Sequence, residues 1–192
     1  MNVVIVDYGA GNIQSIRFAL ERLGATAVLS NVAEEIQNAT HVIFPGVGEA
    51  SYAMEKLCAT GLDCLIPTLT QPVLGICLGM QLMCTHTEEG DTKGLSIFDT
   101  QVVRFNTTLN VPHMGWNTVE GTGVLFEGIP QNSHFYLVHS FYALPNENTV
   151  GNCVYDIPFA AALAKDNFYG TQFHPEKSGA VGAKLLQNFL AL

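Results

Sequence analysis

Gly75-Ile76-Cys77-Leu78-Gly79 lies where an apolar stretch, Val73 to Ile76, meets the start of a helical pattern. This is the nucleophile-elbow arrangement with cysteine in the place of serine, the flanking glycines permitting a tight turn that lifts the side chain out of a sheet's C-terminal edge. The helix that follows acts on Cys77 twice: its positive end favours thiolate, and the Leu78 N–H is left to donate to an oxyanion. A thiol nucleophile needs a base within reach and a group that orients the base. Phe173-His174-Pro175-Glu176 offers both. In extended backbone, residues two apart point the same way, so Glu176 can lie beside His174 and hold its ring. His41, His86 and His134 read as structural or solvated histidines. Pro45-Gly46-Val47-Gly48 is either a second oxyanion donor, its glycines letting backbone N–H groups approach a ligand, or an ordinary turn.

The elements that must position these residues alternate. Val3 to Val6 is a continuous β-branched run of the kind buried on both faces of a parallel sheet. Asn12 is placed to cap a helix carrying Ile13, Ile16, Leu20 and Leu23, which Gly24 stops. The pattern predicts a strand over Ala25 to Leu29, a helix over Ala33 to Gln37, a strand over His41 to Phe44 and a helix over Ala50 to Cys58. A strand over Val73 to Ile76 and an amphipathic stretch from Leu78 to about Thr85 follow. Such alternation means an open, mostly parallel α/β sheet with right-handed crossovers. From about residue 95 the segments 101–105, 113–119, 134–144, 149–155 and 160–173 read as strands, many joined too closely for intervening helices, so antiparallel additions are expected. A last helix, roughly Ala180 to Leu190, presents Val181, Leu185, Leu186 and Phe189 on one face. Residues 1–192 read as a single domain.

Composition narrows the function classes. Charged residues are 13% of the 192, against an average of about 25%, and 48% are hydrophobic, which excludes a disordered chain. Eight Lys+Arg against seventeen Asp+Glu give a net charge of −9 with no basic run, so nucleic acid and anionic membrane are poor partners. The longest apolar run, Ile157 to Ala164, contains Pro158 and falls far below the roughly 20 residues that span a bilayer. The N-terminus has neither a basic region nor a small-residue cleavage site, and a cytoplasmic location is expected. Five cysteines, none in CxxC spacing, argue against a disulfide framework or zinc knuckle and leave at least one free. Gly9-Ala10-Gly11 resembles a dinucleotide loop, but Gln14 occupies the third glycine position, so no cofactor is expected. Nor is a metal: Cys77 and His174 find no third and fourth ligand, and Cys84 reads as core packing.

Cys77, His174 and the Pro45–Gly48 loop together resemble the class I (triad) glutamine amidotransferases. Asp7-Tyr8-Gly9-Ala10-Gly11-Asn12, Pro112-His113-Met114-Gly115-Trp116-Asn117, Val138-His139-Ser140 and Gly170-Thr171-Gln172-Phe173-His174-Pro175-Glu176-Lys177-Ser178 extend the likeness over the whole chain. Within the family it is similar to the glutaminase subunits of imidazole glycerol phosphate synthases of histidine biosynthesis. The resemblance implies a flavodoxin-like fold in which Cys77 attacks the glutamine amide, His174 shuttles the proton to departing ammonia and Glu176 orients His174. It implies an oxyanion hole from the N–H groups of Val47, flanked by Gly46 and Gly48, and of Leu78. Gln81, Glu89, Tyr136 and Ser140 would bind the substrate. Asn12, Met114, Trp116 and Lys177 would meet a (β/α)8 cyclase subunit in a heterodimer and pass it ammonia through a tunnel. Phe141 stands where many relatives have tyrosine, and Thr107 to Val111 is short and lacks basic residues. The alternatives are the amidotransferase subunit of a pyridoxal phosphate or aminodeoxychorismate synthase, and a catalytically silent regulatory relative. Free ammonia would be protonated and lost in water, and 192 residues leave no room for an acceptor domain, so a second protein is expected.

Overall fold

A strand covered on both faces needs apolar side chains at successive positions, because alternate residues point to opposite sides. In the computed structural model, which describes residues 2–9 and 12–192, the central strands follow this rule. In chain order the elements are β1 (Val3–Val6), α1 (Ile13–Arg22), β2 (Ala27–Ser30), α2 (Ala33–Gln37), β3 (His41–Phe44), α3 (Ala50–Thr60), α4 (Leu62–Leu65), β4 (Val73–Ile76), α5 (Leu78–Leu82), β5 (Cys84–Thr87), β6 (Thr92–Lys93), β7 (Phe98–Arg104), β8 (His113–Gly121), β9 (Ser133–His139), β10 (Phe141–Ala143), β11 (Thr149–Tyr155), β12 (Ile157–Lys165), β13 (Phe168–Thr171) and α6 (Gly179–Leu190). Val3, Ile5, Ile43 and Leu74 pack on one side with Ile16 and Leu20 of α1 and Leu185, Leu186 and Phe189 of α6. Val4, Val6, Val42, Phe44 and Val73 pack on the other with Ile36 of α2, Leu57 of α3 and Leu62 of α4. Each such side chain contributes about 1.5–3 kcal/mol by leaving water.

Strands β2, β1, β3, β4 and β13 form a parallel block in that order. Beyond β13 the sheet continues through antiparallel β12 and β10 to β7, β5 and β6, while β11, β8 and β9 branch from β12. The open α/β sheet with antiparallel additions is thus as expected. Parallel pairing has a functional consequence. Phe44 lies opposite Gly75, and Thr171 opposite Ile76, so the loops after β3, β4 and β13 emerge side by side on one edge.

Several boundaries differ from expectation. The second strand starts at Ala27, because the Ala25 N–H still donates to Leu20 O (3.0 Å) in the exit from α1. The stretch from Leu78 divides: α5 stops at Leu82, and Cys84–Thr87 is a strand that pairs with β7. Every residue of α5 is buried, so it has no polar face; Cys84 is a core residue, on a strand and not a helix. The span 160–173 contains a hairpin, its two-residue turn at Asp166-Asn167 using a positive φ of 53° at Asp166. The span 134–144 is likewise broken at Ser140. Asn12 precedes α1 without capping it; its Oδ1 accepts from Ser15 Oγ (3.1 Å). Helix α4 had no sequence signal beyond Gly61, whose φ of 73° separates it from α3. Of the glycine-rich loop after β1, Ala10 and Gly11 lie outside the described residues. Among the described residues no helix is long and apolar enough to cross a membrane.

Candidate active site

Cys77 follows β4 with φ 54° and ψ −112°, a conformation costly for a residue with a Cβ. Its N–H donates to Thr171 O at 2.7 Å, extending the β4–β13 ladder by one residue before the chain turns into α5. Leu78 opens that helix, where N–H groups lack intrahelical acceptors. The turn is tight because glycines interlock beneath it. A Cβ on Gly79 would lie 2.0 Å from Phe44 O, and one on Gly46 would lie 2.5 Å from the Gly79 nitrogen. Gly46 is therefore required for close approach of the loop after β3 to the elbow, while Gly48, with φ 96°, supplies the left-handed turn. Gly79→Ala must push two backbones apart, and its denaturant midpoint is expected to fall by an amount equivalent to about 3 kcal/mol. A loss under 1 kcal/mol would contradict this account of the elbow.

His174 is held from three sides. The His174 N–H donates to Tyr136 O (2.9 Å), and the Ser178 hydroxyl donates to His174 O (2.6 Å) while accepting from the Tyr136 N–H (3.0 Å). His174 Nδ1 meets Glu176 Oε1 at 2.9 Å, both side chains almost wholly buried. The pairing is the expected one, but its geometry is not: Pro175–Lys177 is a 3-10 turn, so the carboxylate reaches back under the ring through a turn and not by extended alternation. Burial alone would lower the His174 pKa, yet its bonds to Cys77 and Glu176 outweigh it and raise the group to about 10. These partners make His174 a stronger base than a free imidazole.

A cavity of about 300 Å³ opens over these groups. Val47, Gly48, Cys77, Leu78, Gln81, Glu89, Ser140 and His174 line it, so most of the residues expected at the site meet there. Gln81 is buried, and its Nε2 donates both to Phe141 O (2.9 Å) and to Gln172 Oε1 (2.8 Å), which leaves Oε1 as its unengaged polar atom. Glu89 Oε2 accepts from the Ala50 N–H at the start of α3 (3.0 Å). Burial raises the Glu89 pKa, the Ala50 bond opposes that, and neighbouring Glu49 adds to it. Tyr136 stands outside the cavity wall. Its ring lies 6.1 Å from Trp116, 6.5 Å from the His174 ring and 5.8 Å from Lys177 Nζ. With Met114 and Trp116, 63% and 56% exposed on the outer face of β8, these residues make a solvent-facing aromatic patch. Asn12 is half-buried at the start of α1.

His86 pairs with Asp91 on the surface (2.8 Å), His134 is exposed, and His41 packs edge-on against Phe189. All five cysteines are free. Among the described residues no group of three or more His, Cys, Asp or Glu is placed to hold a metal. Sequence reasoning missed four contributors. Gln172 Nε2 faces Cys77 Sγ at 3.7 Å; His113 and His139 form a buried pair; the Tyr8 hydroxyl donates to Pro45 O (2.6 Å) and anchors the loop after β3. The one signal for them was that all four lie within the motifs that carry the resemblance.

A thiol on a strained strand-to-helix turn thus faces a carboxylate-held imidazole at the neighbouring strand end. The model for class-I glutamine amidotransferases matches residues 4–192, and the chain belongs to that family. A solved glutamine amidotransferase shares the fold at 18% identity and a TM-score of 0.77, covering 98% of this chain and 97% of the other. The curated relatives are more particular: the imidazole glycerol phosphate synthase subunit HisH of Bacteroides thetaiotaomicron is 55% identical over the full length of both chains. The subunit of the same name from Bacteroides fragilis is 51% identical, again over both chains entire.

Proposed function

We propose that this chain is the glutaminase subunit of an imidazole glycerol phosphate synthase, which hydrolyses glutamine to glutamate and ammonia and passes the ammonia to a cyclase subunit. The observation that carries the chemistry is the buried His174–Glu176 pair set against Cys77 on its strained turn. Full-length identity to two synthase subunits favours this synthase over the pyridoxal phosphate and aminodeoxychorismate types.

The Cys77 thiol gives its proton to His174 as the sulfur attacks the side-chain amide carbon, and the carbonyl oxygen becomes an oxyanion received by the Leu78 and Val47 N–H groups. As the tetrahedral intermediate collapses, the C–N bond breaks and His174 gives its proton to the leaving nitrogen, releasing ammonia and leaving a thioester. Water then attacks the thioester with His174 taking its proton, and glutamate leaves as Cys77 is restored. Glu176 keeps the imidazole oriented and stabilises its charge in both halves. Gln81 presents Oε1 to an N–H of the substrate, the carboxylate of Glu89 suits its ammonium group, and Ser140 completes the site after β9, while Tyr136 belongs with Trp116 and Lys177 on the outer face.

The ammonia must reach its acceptor unprotonated, so the active-site mouth is sealed by the partner. Met114, Trp116 and Lys177, with Asn12, form the docking surface, and aromatic anchors of this kind carry much of an interface's energy. Trp116→Ala is expected to weaken complex formation by about 30-fold, equivalent to about 2 kcal/mol, by titration of one subunit into the other. The whole reading is tested by mixing the chain with a cyclase subunit and its nucleotide ligand. Glutamine-dependent product must form, and glutaminase turnover must exceed that of the chain alone; equal turnover with and without the partner overturns the coupling.

A further inference from the structure

A chain of hydrogen bonds outside the triad runs from the inner face of β8 to the Cys77 sulfur. His139 Nδ1 lies 2.8 Å from Phe141 O. A carbonyl only accepts, so Nδ1 carries hydrogen and the neutral ring leaves Nε2 as an acceptor. His113 Nδ1, 3.0 Å away, must then donate to it, and His113 Nε2 accepts from Asn117 Nδ2 at 3.3 Å. On its other lone pair Phe141 O accepts from Gln81 Nε2, whose second hydrogen goes to Gln172 Oε1; this turns Gln172 Nε2 toward Cys77 Sγ. Each group has one permitted orientation once the Phe141 carbonyl is fixed. The rings have no freedom to swing: His113 stacks on Tyr155 at 4.0 Å and 18°, and His139 packs against Phe105 and Phe159. Burial also keeps both rings neutral, lowering His113 to about 4 and His139 to about 3.

We propose that His113 and His139 are positioning residues for amide hydrolysis, fixing through the Phe141 carbonyl the Gln81–Gln172 amide pair that faces the substrate and the Cys77 sulfur. The proposal rests on the reading of Cys77 as nucleophile. The dyad touches neither substrate nor reacting atoms; it holds in place the Phe141 carbonyl, and that acceptor excludes the alternative flips of the two amides, which would turn a carbonyl oxygen toward the sulfur and an N–H₂ toward the substrate's own donors. Because His113 and Asn117 alternate on β8 with Met114 and Trp116, the chain starts on the inner face of the strand that bears the docking patch.

The test uses the full chain in complex with the cyclase subunit. His113→Phe keeps the stacked ring and deletes both polar atoms, whereas His113→Asn returns a donor close to the place of Nδ1. His113→Phe is expected to lower kcat about 10-fold, the worth of one buried hydrogen bond, with KM within threefold. The same variant should alter the rate of Cys77 alkylation by iodoacetamide in the absence of glutamine, and His113→Asn should recover most of both. Wild-type kcat in His113→Phe, or equal loss in the two variants, overturns the proposal. Nitrogen-15 spectra of the wild-type histidines test it without any variant: both rings must be neutral Nδ1–H tautomers at pH 7, and an Nε2–H tautomer in either refutes it. An inactive wild-type complex would instead refute the glutaminase reading, so the two failures are distinguishable.

Discussion

Cys77→Ala is expected to abolish glutamine hydrolysis, with kcat falling by at least about 10⁴-fold while the chain folds unchanged. No other thiol can substitute: Cys84 and Cys153 are buried in the core, and Cys58 and Cys64 are exposed on α3 and α4. Cys77→Ser should be nearly as inactive, because an alcohol in this setting is a far weaker nucleophile than the sulfur. The backbone adds a second expectation. At φ 54° and ψ −112° any residue with a Cβ is strained by about 1–3 kcal/mol, a cost that alanine keeps and glycine escapes. Cys77→Gly should therefore melt at a higher temperature than Cys77→Ala, although neither turns over substrate. Calorimetry on the two variants settles it, and a lower midpoint for the glycine variant would show that the turn is unstrained.

Glu176→Gln should lower kcat by about 10²–10⁴-fold, because an amide neither stabilises an imidazolium nor fixes its ring as a carboxylate does. The His174 pKa should fall with it. That shift has a stability signature whose sign follows from linkage. In the folded wild type His174 is raised to about 10, above the ordinary value of 6.5, so the folded state binds the proton more tightly than the unfolded chain. The stabilisation is complete below about pH 6.5 and is lost as pH climbs through about 10. Urea midpoints of the wild type should accordingly decline between pH 7 and pH 10, and those of Glu176→Gln should decline less over the same range. Parallel curves would mean that the carboxylate does not hold the proton on His174.

What could be read from sequence was what depends on near neighbours. The apolar runs Val3 to Val6, His41 to Phe44 and Val73 to Ile76 announce strands covered on both faces, and the elbow and the His174–Glu176 pair are each short local motifs. Parallel pairing then had to bring their ends together, which follows from alternating strands and helices. The extent of α5 was not legible, because β5 forms by pairing with β7 a dozen residues later. Nor was the amide pair: Gln81 and Gln172 are 91 positions apart and meet only because β4 and β13 are neighbours. The two-residue pairing of Glu176 with His174 was legible as a contact and not as a shape, since proline can start either an extended segment or the 3-10 turn found here.

The departure at position 141 takes on a different meaning beside the hydrogen-bond chain. Gln81 and His139 both bond the backbone carbonyl of Phe141, a residue at the cavity wall whose ring packs against the core. Every amino acid brings that carbonyl, so the hydrogen bonds do not depend on which side chain stands there. A substitution at position 141 therefore exchanges the side chain without removing the acceptor on which both arms of the chain meet, and separates the effect of the ring from that of the carbonyl.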